Sequence, residues 1–316
     1  MGGAAVASVG ISLPPTVVHS HEIESRLGLA PDWIERRTGI RERRIAADDE
    51  RLEAHATAAA AEALARAGVD AKDVDMVIVG TSTADELMPH AAPLVASALG
   101  ATRAGAFDLG AACTGFLSGL ATGAAMIDAG RAGAVVVVGA DFMSRITDPH
   151  DRSTAAVFAD GAGAVVMLAT GEPSRVGPVV LGAEGDVAGT IKVPRDTATI
   201  TMHGHETYKE AVNSLSVSTE QAADAAEVAL DEIDLFVYHQ ANSRILAAVA
   251  ERLGLNPERV IDCIAEVGNT SAATLPLALA HSVQTGRLHD GDRVLLGAFG
   301  AGFTWGATVL DWGVPA

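Results

Sequence analysis

The chain of 316 residues is 49% hydrophobic and only 4% aromatic, so it can bury a large core built from Ala, Val, Leu and Ile. A net charge of −18 excludes general nucleic-acid binding, which needs a basic surface. Two cysteines, Cys113 and Cys263, cannot form a disulfide framework, and no apolar stretch reaches the roughly 18 residues of a membrane span without a Gly or a charge.

In chain order, Val6 to Leu13 reads as a strand closed by Pro14-Pro15, and residues 20–28 and 31–36 as short helices started by Ser20 and Pro31. Arg36, Arg37, Arg41, Arg43 and Arg44 then crowd nine residues of an acidic chain. Such a run is either a solvated face or an anion site, since guanidinium forks suit phosphates. An Ala-rich helix over 54–67 ends at Gly68, and Val74 to Val79 is a β-branched strand buried on both faces. A helix around 91–99 leads to a strand ending near Asp108.

Ala-Ala-Cys113-Thr-Gly follows, at the turn into an apolar helix through Phe116, Leu120 and Ile127. A thiol at a helix N-terminus meets the positive end of the helix dipole, which favours thiolate. Ala134 to Gly139 is another buried strand, and 157–167 reads as two strands around a turn at Gly161-Ala162-Gly163. Residues 171–199 are irregular and form the seam between an N-terminal half (1–170) and a C-terminal half (171–316). A long helix over 205–230, a strand at Leu235 to Tyr238, helices over 242–253 and 272–285, and closing strands at 293–296 and 304–310 complete the pattern. Met1-Gly2-Gly3-Ala4 lacks the basic start of a signal peptide, so a cytoplasmic location is expected.

The halves are related. A shift of 159 residues lays Asp75 on Asp234 and Val135 on Val294, and it lays the start of the Cys113 helix on the turn at Asn269 to Ala272. A duplicated βαβ unit follows, with both turns at one central site beyond the strand carboxyl ends. Three groups occupy strand-to-helix turns: Cys113, His239 in Tyr-His-Gln-Ala-Asn, and Asn269 in Gly-Asn-Thr-Ser. Taken singly, each suits an ordinary structural role: a small core cysteine, a capping histidine, an N-cap asparagine. Together they suit nucleophilic chemistry, with Ala298 to Gly306 adding backbone N–H groups for an oxyanion. Neither HExxH nor CxxC occurs, so no metal is expected, and Cys263 reads as structural. Papain-like proteases also combine Cys, His and Asn, but their sequence signature around the cysteine is missing.

These stretches resemble the β-ketoacyl-acyl-carrier-protein synthase III family of the thiolase superfamily. The resemblance runs through Trp33-Ile34, Arg37 to Arg43, Ala111 to Phe116, Asp151-Arg152, Asp160 to Ala164, His239 to Asn242, Gly268 to Ala273 and Phe299 to Gly302. It implies an α/β fold of five αβαβα layers, a homodimer, and decarboxylative Claisen condensation of an acyl-CoA primer with malonyl-acyl carrier protein. Cys113 would carry the acyl group, His239 and Asn269 would stabilise the enolate, and the amides of Cys113 and Ala301 would form the oxyanion hole.

By the same resemblance Trp33, Arg37, Arg152 and Asn242 would bind CoA, while Arg244 and Lys209 would dock the carrier protein. Met88 would close the partner's acyl pocket. Neither a resident cofactor nor a membrane or nucleic-acid partner is implied. Two departures stand out: Ala301 replaces a common Gly, and residues 185–200 form a shortened segment near the acyl pocket. An acyltransferase of the same fold acting on a non-malonyl acceptor, or a silent partner subunit, are the alternatives. Retention of His239 and Asn269 favours condensation over the first, and intact Cys113 speaks against the second.

Overall fold

The computed structural model describes residues 2–315. In chain order the elements are β1 (Ala4–Ser12), β2 (Val17–His19), α1 (Ser20–Leu27), α2 (Trp33–Thr38), β3 (Glu42–Arg44), α3 (Leu52–Ala67), β4 (Met76–Gly80) and α4 (Ala91–Leu99). Next come β5 (Gly105–Leu109), α5 (Gly115–Asp128), β6 (Ala134–Phe142), β7 (Asp160–Ala169), β8 (Val180–Ala183), β9 (Ile191–Lys192), β10 (Thr201–Met202) and α6 (Gly204–Ala225). The chain closes with β11 (Leu235–Tyr238), α7 (Ser243–Leu253), α8 (Ile264–Val267), α9 (Thr274–Gln284), β12 (Arg293–Gly300) and β13 (Thr304–Asp311).

Two sheets carry the fold. The first has the order β1-β7-β6-β4-β5 and the second β11-β12-β13-β8. Read from the other end, the second sheet is β8-β13-β12-β11, the same plan as β1-β7-β6-β4. A lone parallel bridge from Phe236 to Val260 stands where β5 runs beside β4. Because strand side chains alternate faces, each sheet splits its apolar residues between two cores. Val135 and Val137 pack inward with Phe116 and Leu120 of α5 and Leu275 and Leu279 of α9, against Val237 and Leu296 of the other sheet. Val136 and Val138 face outward onto α3 and α4, and Phe236 and Leu295 face outward onto α6 and α7. The result is five layers: helices, sheet, the central pair α5 and α9, sheet, helices. Continuous apolar strands are what a sheet covered on both faces requires.

Two expectations need correction. Gly161-Ala162-Gly163 is no turn: β7 runs straight through it, paired with β1 and β6. Its glycines serve packing instead, since a methyl at Gly163 would lie 2.8 Å from Cβ of Pro276 in α9. The helix expected over 205–230 ends at Ala225, and Glu227 then takes a left-handed φ of 56°. Among the described residues no helix is long and apolar enough to cross a membrane.

Candidate active site

Both turns reach the middle of the molecule by the same backbone device. Ala112 takes φ 46° and opens a one-turn helix, Ala112–Thr114, ahead of α5; Ser271 takes φ 52° and opens Ser271–Ala273 ahead of α9. The halves interlock at these turns. Gly300, ending β12, lies so near the Cys113 turn that a Cβ would stand 2.8 Å from the Cys113 amide nitrogen, and a methyl at Gly139 of β6 would fall on the Ala272 carbonyl oxygen. The Thr114 and Thr304 hydroxyls meet at 3.1 Å.

A cavity of about 870 Å³ runs from the surface to this centre and is lined by Cys113, His239 and Asn269 together. Its inner wall also includes Ala301, Phe299, Ser271, Met143 and Phe158, and its mouth Trp33, Arg37, Arg152, Asn242 and Arg244. Cys113 opens on the cavity and not on bulk water. Burial therefore pushes its thiol up to about 12, with the Asp141 charge adding to the rise and a Ser271 hydrogen bond opposing it. Burial thus opposes the bias toward thiolate that the helix end supplies.

His239 is 1% exposed, at the end of β11, and burial lowers its pKa to about 3, so the imidazole is neutral. Its Nδ1 lies 2.6 Å from the Thr274 hydroxyl, and the Phe299 ring meets it edge-on at 5.1 Å. Buried Gln240 next to it ties β11 to the neighbouring segment, donating to the Tyr238 and Ile261 carbonyls and accepting from the Cys263 amide. Cys263 is accordingly structural: it is buried beneath this staple.

Asn269 is clamped through its backbone. Its amide donates to the Val157 carbonyl and its carbonyl accepts from Ala159, both at 3.0 Å. Its side-chain oxygen accepts from the Ser271 amide at 2.9 Å, leaving the amide hydrogens of the side chain to offer. Arg43, 1% exposed, braces the clamping strap with hydrogen bonds to the Ala155 and Phe158 carbonyls.

The arginine run is therefore divided. Arg43 is structural, Arg44 donates to the Pro14 carbonyl, Arg41 pairs with Glu266, Arg37 stands at the cavity mouth, and Arg36 lines a small hollow that shares Trp33, Arg37 and Arg244 with it. There the Arg37 guanidinium lies 4.7 Å from the Trp33 ring centroid, and Arg244 donates to the Arg36 carbonyl. Asn242 lines the cavity while capping α7: its oxygen accepts from the Arg244 amide and its nitrogen donates to the Arg37 carbonyl.

Lys209 is exposed on α6, away from the cavity wall. Met88 is 82% exposed beside exposed Leu87 and does not line the cavity of its own chain. Their loop is held down through Asp85 and Glu86, which pair with Arg145 and Arg51. Reading the sequence missed Asp141 and Thr274, and it assigned neither the Phe299 ring to His239 nor Arg43 to a brace. The one signal for Asp141 was a lone carboxylate at the end of an otherwise apolar strand.

The family model for 3-oxoacyl-[acyl-carrier-protein] synthase III matches residues 107–185, and that for its C-terminal part matches residues 223–312. A β-ketoacyl-[acyl-carrier-protein] synthase III of Streptomyces coelicolor is 46% identical, covering 98% of this chain and 94% of its own. The crystal structure of 3-oxoacyl-[acyl-carrier-protein] synthase III from Aquifex aeolicus superimposes with a TM-score of 0.94 at 37% identity, covering 98% of this chain and all of the other. The priming β-ketosynthase of the R1128 polyketide pathway also reaches 0.94, at 34% identity, covering all of this chain and 98% of the other. With the duplicated sheets and the shared central cavity, this likeness places the chain in the β-ketoacyl-acyl-carrier-protein synthase III family of thiolase-fold condensing enzymes.

Proposed function

We propose that the chain condenses an acyl-CoA primer with malonyl-acyl carrier protein, releasing CO2 and a 3-oxoacyl carrier product. The single observation behind this reading is one cavity in which Cys113, neutral His239 and the free amide hydrogens of Asn269 meet. Cys113 attacks the primer thioester and expels CoA. The malonyl thioester then loses CO2 while its carbonyl oxygen takes hydrogen bonds from His239 and Asn269, and the enolate carbon attacks the acyl-cysteine carbonyl. Neutral donors suit this step: they meet negative charge that develops only in the transition state, where each is worth on the order of 100- to 1000-fold.

Gly300, pressed against the Cys113 amide, supports the pairing of the Cys113 and Ala301 N–H groups as an oxyanion hole. Trp33, Arg37, Arg152 and Asn242 hold CoA at the mouth, and Arg244 with Lys209 forms the carrier-protein docking surface. A homodimer, with Met88 reaching the partner's acyl pocket, would cover the exposed Leu87-Met88 loop. The CoA thioester is a substrate, and the proposed chemistry uses no resident cofactor. A cytoplasmic setting, supplied with acyl-CoA, fits the reading.

Intact-protein mass spectrometry with a panel of acyl-CoAs, then malonyl-carrier protein, tests it. An acyl adduct absent in Cys113→Ala and discharged with CO2 release is expected. Discharge onto another acceptor without CO2 would make the chain an acyltransferase. Asn269→Ala should still be acylated but no longer condense.

A further inference from the structure

The 159-residue shift that relates the halves lays Cys113 on Ala272, Ala301 on Phe142 and Gly300 on Asp141. The two amides proposed as the oxyanion hole therefore have counterparts at Ala272 and Phe142. Both counterparts are buried, and both are satisfied from within the protein. The Ala272 amide donates to Oδ2 of Asp141 at 3.1 Å, and the Phe142 amide donates to the Thr83 hydroxyl at 2.8 Å. That hydroxyl donates in turn to Oδ1 of Asp141 at 2.9 Å, where the Ser82 amide at 2.8 Å and the Thr81 hydroxyl at 3.2 Å also converge.

Asp141 is 0% exposed, and all four of these donors to it are neutral. A buried carboxylate held by neutral donors needs several of them converging, and such a cradle is what an oxyanion site supplies. The strand ends of the two halves differ at this one position. Gly300 brings no side chain to the Cys113 amide, whereas Asp141 brings a carboxylate to the equivalent Ala272 amide. The next amide back, that of Ser271, holds the Asn269 side-chain oxygen at 2.9 Å, so fixing Ala272 also fixes the Asn269 carboxamide.

We propose that the duplication left a second oxyanion pocket, framed by the Ala272 and Ser82 amides and the Thr81 and Thr83 hydroxyls, and that the Asp141 carboxylate fills it as a built-in anion. The pocket takes a small carboxylate, and its filling makes Asp141 a positioning residue for the turn that carries Asn269. The anion pocket stands on the hydrogen bonds alone. The effect on condensation rests on the function proposed above.

Asp141→Gly in the full chain, which copies Gly300, tests this with formate as the probe. Without formate the variant should melt below wild type, and condensation should fall on the order of 100-fold as Asn269 is misplaced. Acylation of Cys113, whose own turn keeps its contacts, should fall less. Formate should raise the melting temperature of the variant and restore condensation, both saturating at the same concentration, and should leave wild type unmoved. Formamide, of the same shape but neutral, should do neither.

A variant whose melting formate does not shift, or shifts no more than formamide does, overturns the pocket. Equal loss and equal rescue of acylation and condensation overturn the positioning role. Should Asp141→Gly fail to fold, Asp141→Asn decides. It keeps the shape but turns an NH2 group toward one of the donors, so melting temperature and condensation should both fall, and wild-type values for both overturn the proposal. A wild type that condenses no acyl-CoA, beside a variant that formate stabilises, instead overturns the condensing reading and leaves the pocket standing.

Discussion

Ala112 and Ser271 stand 159 residues apart and hold the same left-handed backbone, at φ 46° and 52°. Each opens a single helical turn before a central helix, and each lies against the strand end of the opposite half. The duplication has thus been kept in the backbone and divided in the chemistry. One turn carries Cys113, the proposed nucleophile, and the other carries Asn269 and Ser271, which line the same cavity. Likewise Gly80 ends β4 where His239 follows β11, and a side chain at Gly80 would strike the backbone of Gly115.

Gly300→Ala should distort the Cys113 turn. Its Cβ would stand 2.8 Å from the Cys113 nitrogen and 3.2 Å from the Cys113 Cβ, so backbone must shift. A loss of roughly 1–3 kcal/mol of stability is expected, with acylation failing before the fold does. Thermal melting and acyl-adduct formation, measured on the same sample, check this. Full acylation at wild-type melting temperature would contradict the close contact.

Acid should weaken the fold through His239. Its folded pKa, about 3, lies below the usual 6.5, so the unfolded chain binds the proton first. Stability present above pH 6.5 is lost progressively as pH falls toward 3, by up to about 5 kcal/mol from this group. Denaturant titrations of wild type and His239→Gln between pH 7 and pH 4 should show a flatter pH dependence in the variant. The condensation rate should show no acid limb near 6.5 from this residue.

Thr274→Val should spare acylation and impair condensation. The hydroxyl lies 2.6 Å from Nδ1 of His239 and 3.0 Å from the Ser271 carbonyl. The single hydroxyl proton serves one of these two acceptors; when it goes to Nδ1 in place of the Ser271 carbonyl, the ring proton stays on Nε2, where an enolate oxygen accepts a hydrogen bond from it. Valine keeps the shape but removes that control, and condensation should fall on the order of 100-fold. Single-turnover discharge of preformed acyl-enzyme by a malonyl thioester is the measurement, and an unchanged rate would mean that another contact sets the tautomer.

Arg43→Met should cost roughly 1–3 kcal/mol, since it strands the Ala155 and Phe158 carbonyls beneath a buried strap. The strap holds Asn269 through Val157 and Ala159, so condensation should drop further than acylation. Lysine at this position, which reaches fewer acceptors, should rescue only in part. Equal loss in both half-reactions would indicate general destabilisation instead.

The sequence by itself determined the layered α/β plan, because unbroken β-branched runs such as Val135 to Val138 only suit strands covered on both faces. It also determined the duplication, because equal shifts relate strands and turns alike, and it singled out Cys113, His239 and Asn269 through their place at strand-to-helix turns. Only the tertiary structure decided their electrostatics. Burial opposes thiolate at Cys113, against the pull of the helix end, and no local pattern reports burial. Asp141 and Thr274 entered the site only when β6 met the Ala272 turn and β11 met α9. The glycines of β7 show the same limit: read along the chain they mark a turn, yet the fold uses them to bring Pro276 of α9 against the sheet.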